Sequence, residues 1–212
     1  MSEELIDRGT NWQCCALTAE GDVRTPAEVL TRVGELLQAL SRVEDAIVYY
    51  RASMQLDPKY ALAPYRLGYA YVALNRYWEA VEAFQLAIES TTHHHAPTHY
   101  AIGTVYAALG QHERALDSLQ EALRYDPKHT GARLEKMRSF AALQRWDELR
   151  DACVELHRIV PDVQEVKIWH ALAEMNLGNF DAARDLYRNV GQKVRNRYRQ
   201  LSIELEKRLG TD

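Results

Sequence analysis

The chain has 212 residues, of which 47% are hydrophobic and 26% are charged, with only 10 glycines and 6 prolines. This is the composition of a globular protein, and it excludes low-complexity, collagen-like and wholly disordered chains. The 26 basic and 30 acidic residues give a formal net charge of -4, so the basic excess typical of a dedicated nucleic-acid-binding protein is missing.

Three features of the sequence bear on its location and on the state of its thiols. The longest stretch without Asp, Glu, Lys or Arg, residues 90–112, contains five histidines and a proline, so we do not expect it to span a bilayer. The first residues, Met1 to Arg8, are acidic where a signal peptide would be basic and then apolar. A disulfide between the adjacent Cys14 and Cys15 would be strained. We therefore predict a cytoplasmic protein with reduced thiols and no membrane partner.

The N-terminal residues 1–24 lie outside the periodicity described below. They contain a short apolar cluster that includes Trp12, Cys14, Cys15 and Leu17. Three interpretations stay open: a partial capping helix, a flexible tail, or a segment placed in the protein's own groove.

The first helix is predicted to begin after Thr25. Thr25 and Glu28 form the capping-box pattern, and Pro26 stands at the first helical position.

Proline and glycine reveal a repeat from this point on. Pro58, Pro127 and Pro161 are spaced by 69 and then 34 residues, which leaves one unmarked unit between the first two. Glycines follow the same period at 34, 68 and 103. Two independent markers therefore indicate a unit of about 34 residues.

These units resemble the tetratricopeptide repeat, which carries Trp-x-x-Leu-Gly-x-x-Tyr, then Ala-x-x-x-Phe, then Pro. The matching units are 27–60, 61–95, 96–129, 130–163 and the stretch from Gln164 to about 197. The first three match well, whereas the fourth has Lys136 and Met137 in place of Leu-Gly and the fifth is also degenerate.

The resemblance implies an all-α fold, a right-handed superhelical solenoid of antiparallel helix pairs. We expect a non-repeat segment over 1–24, five helix pairs over 25–190, and a closing helix with a tail over 191–212. Val194, Tyr198, Leu201 and Leu205 recur on one face of that closing helix, which should pack on the fifth repeat.

Small residues explain how the helices of a pair can approach each other. Glycine or alanine recurs at the same position in the first helix of several helix pairs. We expect the backbones of the two helices to pack closely at this position. The residues are Gly34, Gly68, Gly103 and Ala171.

The resemblance also implies that first helices line a concave groove that binds peptides. The matching places in this sequence are poor in charge, and the tyrosines among them are additional to the core aromatics Tyr71, Phe84 and Tyr106. Inter-helix packing is the alternative role for some of these residues. The predicted partner-binding groove consists of Tyr65, Tyr69, Tyr100, Thr104, Leu134, Arg138, Ile168 and Leu172.

One subfamily uses a Lys, Asn and Arg clamp to hold the C-terminal carboxylate of heat-shock chaperones. The matching places here hold Thr31, Glu35, Tyr69, Pro97 and Ala101. We therefore do not expect a chaperone C-terminus as the ligand.

The histidines His93, His94, His95 and His99 cluster at the end of the second repeat. No Cys, Asp or Glu completes a ligand set, so a solvated turn is favoured over a metal site. Metal binding by His93–His95 remains open.

A basic run of Lys193, Arg195, Arg197 and Arg199 lies on the predicted closing helix. Two glutamates follow it closely, so we predict a solvated helix face. Contact with an acidic partner or with RNA is the alternative.

The sequence has no phosphate-binding glycine loop, no Gly-x-Ser-x-Gly and no His-Glu-x-x-His. We therefore predict a non-enzymatic interaction module without cofactor, an adaptor, scaffold or assembly factor with a protein or peptide partner. The alternatives are a nucleic-acid-binding solenoid that uses the basic run, and a self-assembling structural protein that forms a homo-oligomer.

Overall fold

The structure is a computed structural model that describes residues 25–90, 95–161 and 163–210. These residues form twelve α-helices and no strand, so the predicted all-α fold is confirmed. The helices are α1 Pro26–Ala39, α2 Val43–Leu56, α3 Leu62–Ala73, α4 Tyr77–Glu89, α5 His95–Ala108, α6 His112–Tyr125, α7 Thr130–Ala142, α8 Trp146–Ile159, α9 Glu165–Asn176, α10 Phe180–Arg188, α11 Gln192–Arg197 and α12 Arg199–Leu209.

The first helix begins where the sequence predicts. Thr25 is its N-cap, and the Thr25 hydroxyl accepts the Glu28 N–H at 3.3 Å while the Glu28 carboxylate accepts the Thr25 N–H at 3.0 Å. Pro26 occupies the first turn, where its missing N–H costs nothing. The capping box is therefore complete.

The turns inside the five helix pairs share one backbone conformation. A residue with positive φ follows a leucine in each turn, which lets the chain reverse direction. The residues are Ser41, Asn75, Gly110, Gln144 and Gly178, at the predicted period of 34 or 35.

The chain divides into two compact units, residues 1–105 and 106–212. In the first unit α1 packs on α2, α2 on α3, and α3 on α4. Its core contains Tyr50 and Phe84, both fully buried, together with small residues such as Ala46 and Ala80.

The second unit has a core built from α6 to α12. Met137, Leu149, Cys153, Leu156 and Ile168 are all fully buried there. The helices α11 and α12 both contact α9, and α12 also contacts α10.

The predicted closing helix is two helices rather than one. Tyr198 has φ -108° and ψ 46°, which interrupts the helix between α11 and α12. The predicted stripe nevertheless faces the protein, because Val194 and Leu205 are buried and Tyr198 and Leu201 are half-buried.

Within the described residues, none of the helices combines the length and the apolar character that crossing a membrane requires.

Candidate functional site

Tyr65 and Tyr69 lie one turn apart on α3 and form a ring pair. Their centroids are 5.0 Å apart with the rings nearly perpendicular, and the Tyr65 hydroxyl donates to the Tyr69 hydroxyl at 3.3 Å. Both rings also rest on Phe84 of α4, at centroid distances of 5.8 and 5.2 Å. Phe84 is fully buried, so the two tyrosine rings pack on a core residue on one side and remain half-exposed on the other.

Tyr100 on α5 lies near this pair, in the same unit. Burial raises the pKa of Tyr69, and the hydrogen bond with Tyr65 and the neighbouring Tyr100 phenol raise it further, while Arg66 opposes them. Tyr100 is half-buried. We call Tyr65, Tyr69 and Tyr100 the tyrosine patch.

Thr104 follows Tyr100 by one turn on α5 and is half-buried. Its hydroxyl donates to the Ala101 carbonyl of the same helix at 2.7 Å. The hydroxyl of Thr104 is therefore already hydrogen-bonded within its own helix.

A cleft of about 310 Å³ opens between α1 and α3 in the same unit. Glu35 lies in it and binds both Arg66 and Arg32, each at 2.6 Å. Thr31 borders the cleft but is buried, and its hydroxyl donates to the Ser53 hydroxyl at 2.9 Å. The α1 side of the first unit is thus charged, in contrast to the tyrosine patch.

The four predicted groove residues of the second unit differ in exposure. Leu134 is half-buried against the core, and Arg138 is exposed. Ile168 is fully buried and Leu172 is 7% exposed, so both belong to the core. The side chains of Ile168 and Leu172 therefore have almost no exposed surface for a partner to contact.

The C-terminal helices account for part of this burial. The Tyr198 ring stands edge-on to Trp169 of α9, with centroids 5.5 Å apart, and its hydroxyl accepts from Arg138 at 3.0 Å. Arg197 forms an ion pair with Glu165. Helices α11 and α12 therefore cover much of the face of α9 that is predicted to line the groove. In the sequence, only the apolar stripe through Tyr198 indicates this packing.

Arg195 corrects the prediction that the whole basic run is a solvated helix face. Its guanidinium donates to the carbonyls of Val190 and Tyr187, both at 3.0 Å, and lies 4.4 Å from the centroid of the Tyr187 ring. Lys193 and Arg199 are exposed, as predicted. Arg195 thus ties α11 to the end of α10, whereas Arg197 is exposed, as predicted, and pairs with Glu165 at the surface.

The histidine cluster lies partly outside the described residues, since His93 and His94 are not among them. The rings of His95 and His99 on α5 are 6.3 Å apart. In the ranges that the structure describes, no three His, Cys, Asp or Glu side chains are grouped as metal ligands would be.

Paired helices at a period of 34 residues, with an aromatic surface on first helices, define a helical repeat protein of the interaction type. Two tetratricopeptide repeat family models match the chain, over residues 37–97 and 96–129. Over residues 37–129 the chain is therefore similar to the tetratricopeptide repeat family. A search of curated proteins finds no match.

Solved structures with a similar fold cover most of the chain. YrrB, described as a TPR protein with an unusual peptide-binding site, has a TM-score of 0.71 at 23% identity, covering 85% of this chain and 92% of its own. A MamA structure has a TM-score of 0.70 at 17% identity, covering 87% and 94%. MamA from Desulfovibrio magneticus RS-1 gives 0.70 at 16%, covering 85% and 95%. At these identities the likeness concerns the fold.

Proposed function

We propose that the chain is a non-enzymatic adaptor, scaffold or assembly factor, and that the tyrosine patch binds a peptide segment of its protein partner. The observation that carries this proposal is the ring pair of Tyr65 and Tyr69, half-exposed on a buried Phe84.

The arrangement of the rings favours binding over a purely structural role. Tyrosine offers a large apolar surface with a polar tip, and it is enriched among residues that dominate interface energies. The contacts of Tyr65 and Tyr69 with each other and with Phe84 fix both rings before any ligand arrives. Less side-chain entropy is then lost on binding.

The surroundings indicate what kind of peptide would fit. An aliphatic or aromatic anchor suits the tyrosine patch, and polar flanking residues suit the cleft that contains the ion pair of Glu35 with Arg66. YrrB, a protein of the same fold, is described as having a peptide-binding site. That description supports the class of ligand, but the residues proposed here come from this chain alone.

The test starts from a displayed library of random peptides selected against the wild-type chain. One selected peptide is synthesised, and its affinity is measured by calorimetry for the wild type and for Tyr65→Ala/Tyr100→Ala. Each fully buried anchor is worth on the order of 2 kcal/mol, so we expect the double variant to bind at least about tenfold more weakly.

Two controls separate binding from folding. Tyr125→Ala removes a tyrosine that is 46% exposed in the other unit, and it should bind normally. Tyr71→Ala removes a ring that is 4% exposed and accepts a hydrogen bond from Arg51, so it should lower the melting temperature. A Tyr65→Ala/Tyr100→Ala variant that binds the peptide like the wild type would place the interface elsewhere.

A further inference from the structure

Among the departures of the fourth repeat from the second and third is the residue just before the glycine position of the first helix. Leu67 in the second repeat and Ile102 in the third are 4% and 5% exposed, so an aliphatic side chain fills this place. The equivalent residue on α7 is Lys136, which is half-buried. A cation has therefore replaced an apolar core residue.

A cleft of about 430 Å³ lies beside Lys136, between α6, α7 and α8. The Lys136 ammonium donates to the Gln120 side-chain oxygen at 2.8 Å and lies 5.6 Å from the centroid of the Phe140 ring. This volume falls in the range of about 300 to 1,000 Å³ that is usual for small-ligand pockets. We call it the Lys136 cleft.

The charges around the cleft are paired except for this ammonium. Arg133, whose side chain is only 13% exposed, binds Glu155 at 2.9 Å, and Arg145 binds Glu148 at 2.7 Å. Lys136 has a neutral amide oxygen as its hydrogen-bond partner and forms no ion pair with a carboxylate of the described residues.

Burial is unfavourable for this unpaired charge. Burial lowers the pKa of Lys136. The nearby charges of Arg133 and Arg145 lower this pKa further, whereas the charge of Glu155 opposes the shift. An ammonium that has lost part of its hydration gains more from an added anion than an exposed one does.

We propose that the Lys136 cleft binds a carboxylate from a glutamate or aspartate side chain of an acidic peptide. Lys136 forms the ion pair with this carboxylate. Glu148, Asp151 and Glu155 line the same cleft. Since these carboxylates are paired with arginines, the one unpaired ammonium matches the single charge of a carboxylate better than the double charge of a phosphate.

The experiment measures binding of a fluorescent tetra-glutamate peptide with blocked ends to the full chain, with a tetra-glutamine peptide for comparison. We expect Lys136→Leu, which restores the residue of the second repeat, to lower the affinity for the glutamate peptide at least about tenfold. Lys136→Arg should retain binding. Lys128→Leu changes an exposed lysine outside the cleft and should have no effect.

Several results would overturn the proposal. The first is that the glutamate peptide does not bind at concentrations up to about 1 mM. The second is that the glutamine peptide binds with the same affinity, and the third is that a folded Lys136→Leu chain binds the glutamate peptide as tightly as the wild type. Circular-dichroism melting checks the fold, and Lys136→Met replaces the leucine variant if that variant does not fold. Equal affinity for free glutarate would overturn the assignment to a peptide side chain. Tyr65→Ala/Tyr100→Ala should bind the glutamate peptide normally, which keeps this site distinct from the tyrosine patch.

Discussion

Gly68 on α3 faces the Phe84 ring of α4 so closely that a Cβ atom on Gly68 would lie 2.5 Å from Phe84 Cε1. Gly34 and Tyr50 have the same relationship in the first repeat, again with 2.5 Å to Cε1. The small residue on the first helix therefore makes room for an aromatic ring of the second helix, which refines the expectation of close backbone packing.

This contact predicts that Gly68→Ala destabilises the chain. Alanine is the better helix former by about 1 kcal/mol, but the collision with Phe84 should cost about 1 to 3 kcal/mol. Denaturant unfolding measures the difference. Gly68→Ala/Phe84→Leu should recover part of the loss, because leucine lacks the ring atoms that the added Cβ would meet, and the third repeat has Leu119 at this place. A more stable Gly68→Ala chain would contradict the contact.

The fourth repeat shows how this relationship can be reversed. Met137 and Cys153 stand at the places of Gly68 and Phe84, and both are fully buried. The large side chain has moved to the first helix and the small one to the second. The sequence marks this repeat as degenerate, yet the exchange of volumes keeps its core filled.

The buried Cys153 is predicted to be unreactive in the folded chain. Burial raises the pKa of its thiol, and the neighbouring Glu174 adds to this effect, so little thiolate forms at neutral pH. In a Cys14→Ser/Cys15→Ser variant, Cys153 is the remaining thiol. We expect it to react with a thiol reagent at least about 100-fold more slowly than in denaturant. Comparable rates in native buffer would show that the core around Cys153 opens readily.

Arg195 is predicted to stabilise the C-terminal helices. Arg195→Ala removes the donors to the Val190 and Tyr187 carbonyls, which should cost about 1 to 3 kcal/mol and lower the melting temperature by several degrees. Hydrogen exchange should rise in α11 and α12. Arg199→Ala is the matched control, because Arg199 is exposed in the same run. Equal melting of the two variants would refute a structural role for Arg195.

The N-terminal residues 1–24 lie outside the described residues, and their role stays a prediction. Leu36 on α1 and Leu40, the residue that caps the C-terminal end of α1, are 60% and 71% exposed, so the first repeat has apolar surface to shield. Deleting residues 1–24 should increase self-association or partner affinity. Sedimentation velocity measures the first and calorimetry the second. Unchanged values for both would argue against shielding.

Local signals explain how much of the fold was predictable. Capping at Thr25 and the repeated turn residues act over a few positions, so the sequence pattern locates the helix ends. Tyr198, at which the closing helix breaks, contacts Trp169 and Arg138, and Arg138 is 60 residues away in the sequence. No local pattern contains that information.

The groove residues illustrate the same limit. An apolar side chain on the first helix of a pair can line a groove or belong to the core. The amino-acid sequence does not distinguish these two positions. Ile168 is core because of where other helices lie, whereas Tyr65 is left half-exposed. Lys136 was visible as an exception to the repeat, but its cleft follows only from the packing of three helices.

The packing of α11 and α12 on α9 also bears on how such an array could be lengthened. A sixth helix pair stacked directly after α9 and α10 would need the surface that Tyr198 and Leu205 now occupy. Designed extensions that graft repeats after residue 190 must therefore replace these two helices, whereas extensions fused beyond residue 210 would leave them in place and add a separate array.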